Sequence, residues 1–214
     1  MATLLLRLAA PLQSWGSSSK FEIRTTEKMP TKSGVVGMLA AALGLRRDAD
    51  LSRLNALKFG VRADREGEDI TDFHMAHSEK SSYVTYRHYL CDAVFLAGLE
   101  GEEELLKELE VALHNPQFPL FLGRRSCPPT LPVVMGIRNL PLETALRKEA
   151  PLTEKHENLL RIQIETDNSD AGMIQDMPIS FNPARRVYGY RRIREDFVEY
   201  SQNETEHDAM QELG

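Results

Sequence analysis

A chain of 214 residues, 42% apolar and 27% charged, is long enough to bury a core in one or two domains, which excludes wholesale disorder. Its net charge of −6 argues against a protein that coats nucleic acid indiscriminately. No apolar run approaches the ~18 residues that span a bilayer. Cys91 and Cys127 stand far apart without CxxC spacing, as expected of free thiols in a reducing cytoplasm.

Thr3 to Leu8 reads as a first strand; Arg7 interrupts the apolar run, which fits a strand better than a signal peptide. Pro30-Thr31-Lys32-Ser33 then introduces a helix with Val35, Val36, Leu39, Ala40 and Leu43 as its apolar stripe, Ser33 as N-cap and Gly44 as terminator. Leu51, Leu54 and Leu57 suggest a helical turn, and Phe59 to Ala63 alternates like a half-buried strand. Arg65 to Arg87 is polar and has few apolar anchors. A stretch of that length is usually functional or awaits a partner. Strand character returns from Tyr89 to Leu99. Glu102 to His114 is the clearest helix, with Leu105, Leu109 and Leu113 on one face and glutamates in its first turn. Leu131 to Ile137 reads as another strand.

The order βαββαβ predicts an α+β protein with a ferredoxin-like or RNA-recognition-motif fold over residues 1–140, interrupted by an insertion at about 64–87. Residues 141–200, with one clear strand at Ile162 to Thr166, are expected to form a small β-rich C-terminal appendage. Residues 201–214 form an acidic tail.

The most informative local stretch is Phe121-Leu122-Gly123-Arg124-Arg125-Ser126-Cys127-Pro128-Pro129. Paired guanidinium groups on a turn held between glycine and prolines suit phosphate, since each fork donates two parallel hydrogen bonds. Phe118 and Phe121 offer flat faces for bases. A second basic run, Pro183 to Arg194, carries five arginines and no acid, whereas Glu195 to Glu212 carries seven acids and no lysine or arginine. That run serves either as a contact patch for RNA or protein, or as an internal partner for the acids.

Four blocks, LRLAAPLQSWG, PTKSGVVG, Tyr89-Leu90-Cys91-Asp92 and LGRRSCPP, together resemble the CasD subunits of the type I-E CRISPR surveillance complex, Cascade, within the RAMP superfamily. The likeness is best over about the first 135 residues. It implies a modified RNA-recognition motif whose insertion is a thumb. Such a subunit caps the complex on the 5′ handle of the CRISPR RNA, reaches the adjacent backbone subunit through the thumb, and touches the large subunit. It meets target DNA only through the assembled complex and needs no cofactor. The resemblance makes Gly123, Arg124, Arg125 and Ser126 the leading handle contacts, with Lys32 and Ser33 at a phosphate-attracting helix start. Arg87, Phe118, Phe121, Gln13 and Trp15 are further candidates. Several have a structural reading as well: Trp15 and Phe118 as core, Ser33 as a helix cap.

Because another type I-E subunit cuts the precursor RNA, no catalytic residue is implied. The alternative is a metal-independent endoribonuclease like a related type I-C subfamily, in which His88 beside Arg87 and Tyr86 would supply base and cation. His74, His77, Asp72 and Glu79 sit in the polar insertion without visible hydrophobic or outer-shell support for a metal.

Overall fold

The computed structural model describes residues 1–16, 23–77, 82–154 and 158–200. The first half comprises β1 (Ala2–Ala9), β2 (Leu12–Gln13), β3 (Ile23–Arg24), α1 (Lys32–Ala42), α2 (Ser52–Asn55), β4 (Lys58–Arg65), β5 (Glu68–His77) and β6 (Ser82–Cys91). It continues through β7 (Val94–Gly101), α3 (Glu103–His114), β8 (Val134–Arg138), α4 (Leu142–Lys148), β9 (Leu159–Glu165), β10 (Gly172–Ser180) and β11 (Val187–Glu199). The result is a mixed, sheet-rich fold with few helices.

Seven strands form one sheet in the order β10-β11-β9-β4-β7-β1-β8, antiparallel at every pairing. Alternation along β1 explains how both faces are covered. Leu4, Leu6 and Leu8 join the core beneath α1, α2 and α3, whereas Leu5 faces α4 with Leu96 and Ile162. Room for α4 comes from Gly60 and Gly98, which pair opposite each other; a Cβ at Gly98 would lie 2.6 Å from Leu142. Each fully buried leucine contributes about 1.5–3 kcal/mol relative to exposure.

Several local expectations change. The N-cap of α1 is Thr31, whose hydroxyl accepts from the Gly34 N–H at 3.2 Å, while Ser33 lies inside the first turn. Gly44, at φ +73°, ends that helix. The strand expected over Tyr89 to Leu99 is two strands, because the chain turns at Asp92 with φ +55°. After residue 140 the sequence showed one strand; the structure has α4 and three strands. Since β9 pairs with β4, they continue the main sheet instead of forming a separate appendage.

The insertion is a β5–β6 hairpin that is in register from Glu68–Cys91 to His77–Ser82. Phe73 packs edge-on against Tyr86 at 5.3 Å between ring centroids. On its other edge β6 pairs with β2 and, in parallel, with β3, so one strand runs from the hairpin into the body. Lys80, Ser81 and the acidic tail lie outside the described residues.

Candidate nucleic-acid interface

The Arg124–Arg125 loop is fixed by its backbone. Ser14 N–H donates to Leu122 O at 3.2 Å, Leu122 N–H to Cys127 O at 2.8 Å, and Cys127 N–H to Arg124 O at 2.9 Å. Leu122 and Cys127 are buried, so the loop presents residues 123–126 outward from a packed base. Gly123 has φ +84°, and a Cβ there would fall 1.6 Å from Ser14 O. Only glycine fits this contact.

Arg124 stacks on the buried Tyr89 ring, 4.7 Å from its centroid, and donates to Arg24 O at 2.8 Å. Burial raises the Tyr89 pKa, but hydrogen bonds from Ser126, Arg124 and Arg87 outweigh it and hold the hydroxyl below its usual 10.0. Three residues chosen from sequence therefore converge on a fourth that was not chosen. Arg124 Nη1 and Arg87 Nε are buried without a protein partner, leaving two unspent donors in the cluster. Arg125 is exposed and, among the described residues, has neither hydrogen bond nor ion pair.

The remaining candidates separate by burial. Phe118 is 51% exposed and Phe121 half-buried; both face the same groove. Trp15 is 1% exposed, its ring pressed on Gly34 and its indole N–H donated to Gln13 Oε1 at 3.1 Å. Gln13 is fully buried and spends its amide on Leu8 O and Ala93 O, so this candidate contact is a support for Trp15. Lys32 is likewise corrected: its ammonium is buried against the Glu165 carboxylate at 2.9 Å and Asn55 O at 3.1 Å. The phosphate expected at the start of α1 is pre-empted, because Asp176 accepts from the Lys32 backbone N–H at 2.8 Å. Ser33 is 7% exposed and bonds the Thr31 hydroxyl, at the groove wall.

These elements surround an open groove of about 1550 Å³. Arg24, Arg46, Arg47, Arg124, Arg125 and Arg186 line it against one acid, Asp48, so a locally basic surface sits on an acidic chain. Phe181 and Tyr188 add aromatic rings. Of the residues missed, Arg46-Arg47 carried a readable signal: Gly44-Leu45-Arg46-Arg47 repeats the glycine-then-arginine-pair pattern of the Gly123 loop. Tyr89 lay inside a quoted block, but nothing local marked its hydroxyl.

His88 stands apart from this cluster. Alternation in β6 sends it to the face opposite Arg87 and Tyr89, where its Nδ1 meets the Thr71 hydroxyl at 3.1 Å. His74 pairs with Asp72 on the hairpin, and among the described residues no three His, Cys, Asp or Glu side chains gather as metal ligands. No helix among them is long and apolar enough to cross a membrane.

A groove of arginines and aromatic rings, lined by α1 and loops beside an antiparallel sheet, belongs to the class of surfaces suited to single-stranded nucleic acid. The family model described as "CRISPR-associated protein (Cas_Cas5)" matches residues 3–194, and the chain belongs to that family. It is 38% identical over 157 residues to the CRISPR system Cascade subunit CasD of Escherichia coli K12, covering 62% of this chain and 70% of that protein. A chain of a CRISPR RNA-guided surveillance complex superposes with a TM-score of 0.81 at 35% identity, over 92% of this chain and 90% of that one. A second solved structure, of a Cas protein, gives 0.73 at 43% identity, over 92% and 95%.

Proposed function

We propose that this chain is a non-catalytic subunit of a type I-E Cascade complex that binds and caps the 5′ handle of CRISPR RNA in the cytoplasm. The observation that carries this reading is Arg124, seated on Tyr89 with an unspent buried donor, at the mouth of a groove holding six arginines. Family membership and likeness to CasD support it. Backbone phosphates take Arg124, Arg125 and the Arg87–Ser126 cluster, while exposed Phe118 and half-buried Phe121 stack bases.

The unit β4-β7-β1-β8, with α1 after β1 and α3 after β7, has the strand order of a ferredoxin-like or RNA-recognition-motif domain, which supports that assignment for residues 1–140. The β5–β6 hairpin serves as the thumb toward the adjacent backbone subunit, and the body contacts the large subunit. Target DNA is engaged through the assembled complex. His88 takes no part in RNA cleavage, since its face of β6 is turned from the arginine cluster.

The test is co-expression of the tagged chain with the other Cascade subunits and a CRISPR array, followed by sequencing of the bound RNA ends. Uniform RNA beginning with a repeat-derived handle is expected. Replacing Arg124 and Arg125 together by alanine should reduce recovered RNA and assembled complex roughly 10-fold or more, since each hydrogen bond to a charged group contributes about 1.5–3 kcal/mol. Folding should change little, read as the melting temperature of the isolated chain. Normal RNA content in that variant removes the role of the pair.

A further inference from the structure

The groove has a second wall that the Arg124 loop does not supply. It is built by the C-terminal end of β10, the connection to β11, and the start of β11, which bring Phe181, Arg186 and Tyr188 to the groove. Arg186 is exposed, and no hydrogen bond or ion pair engages it among the described residues. Resting on the proposed RNA-binding function, we infer that Arg186 and Tyr188 bind the same RNA strand from the side opposite the Arg124 loop. Arg186 meets a phosphate, and Tyr188 with Phe181 offers ring faces to bases.

Two observations support this reading. The first is charge: the groove holds arginines on both walls against one acid, so a polyanion satisfies the two together. A protein partner would have to bring several carboxylates along with apolar contacts for the rings, whereas single-stranded RNA supplies phosphates and bases along one chain. The second is anchorage. Asp176 of β10 accepts from Arg191 of β11 through both oxygens, at 2.6 and 2.8 Å, and from the Lys32 N–H at the start of α1. Asp176 is fully buried and Arg191 nearly so, with the Arg191 guanidinium over the Phe59 ring at 5.2 Å. The hairpin is thus locked onto the helix whose Gly34 and Gly37 line the groove, which holds Arg186 and Tyr188 at a set place before RNA arrives.

The experiment uses the assembled complex carrying CRISPR RNA with 4-thiouridine in its repeat-derived 5′ segment. After irradiation, crosslinked peptides are mapped, and RNA retention is measured against salt for Arg186→Ala and Tyr188→Ala. Crosslinks are expected on residues 181–190 as well as 118–126, with a several-fold loss of retention for each variant. Arg186→Ala should also lower the salt slope by about one ion. Crosslinks confined to 118–126 with unchanged retention would overturn the second wall alone. A wild-type complex without RNA would overturn the binding function itself, and protein crosslinks from 181–190 to another subunit would reassign the wall to a protein contact. Arg186 is exposed and Tyr188 half-buried, so a melting temperature shared with wild type separates lost binding from lost folding.

Discussion

At the scale of single residues, burial divides the cations by task. Arg124 keeps one donor unspent beside the groove, whereas Lys32 is 1% exposed and committed to Glu165. Burial pulls the Lys32 ammonium below its usual 10.5, and Glu165 offsets only part of that cost. Removing one partner from such a pair costs about 3–5 kcal/mol, so Lys32 serves the fold. Gly123 has the opposite character, contributing space alone. Gly123→Ala should destabilise the chain by about 2–4 kcal/mol and displace the Arg124 loop, because both the positive φ and the Ser14 carbonyl resist a methyl group. A denaturant midpoint close to wild type would contradict it. The sequence placed Gly123, Arg124, Arg125 and Ser126 together because they are contiguous. It could not separate Lys32 and Gln13 from them, because what buries those two is strands more than 70 residues away, Ala93 at β7 and Glu165 in β9.

At the scale of elements, legibility followed length and the character of the inward residues. Helix α3 has three turns and a leucine face and could be read directly; α4 has seven residues and only Leu142, Ala145 and Leu146 buried, too short for a periodic signal. Strand β11 was hidden because one of its two buried positions is Arg191, so a charge stands where alternation calls for an apolar side chain, and only Val198 supplies one. The same region is held by ion pairs: Arg147 bridges Glu143 of α4 and Asp196 of β11, and Arg194 reaches Glu143 at 2.6 Å. For Glu143, burial acts to raise the pKa, but Arg194 and Arg147 outweigh it and hold the carboxyl below its usual 4.5. A depressed carboxylate adds stability above its unfolded value, and that stability is lost as pH falls from 4.5 through the folded pKa. Glu143→Gln should therefore melt modestly below wild type at neutral pH, with the gap closing on acidification below 4.5. A gap independent of pH would show that the latch is not electrostatic.

At the scale of the whole molecule, α1 and the loops around it line the groove and the main sheet reaches it through the start of β11, while a second, smaller sheet joins the β5–β6 hairpin to the body through β6. The polarity of residues 65–87 made the insertion visible, yet its sequence did not show that β6 runs on to the Arg124 loop, because β2 and β3 are two residues each and pair with it from the other edge. That shared strand makes parity a property of the molecule. Arg87 and Tyr89 stand on the side that meets Arg124, and Tyr86 and His88 on the other; Leu90 and Cys91 are tied to β2. One residue added after His88 should swing Arg87 out of the Tyr89 cluster and lower the RNA content of the complex, whereas two added residues should restore much of it. Equal losses for both insertions would contradict this. Evenness of count at the root of the hairpin thus keeps Arg87 in hand with Tyr89, and an odd step there turns the hand over, setting Arg87 on the face that His88 now holds.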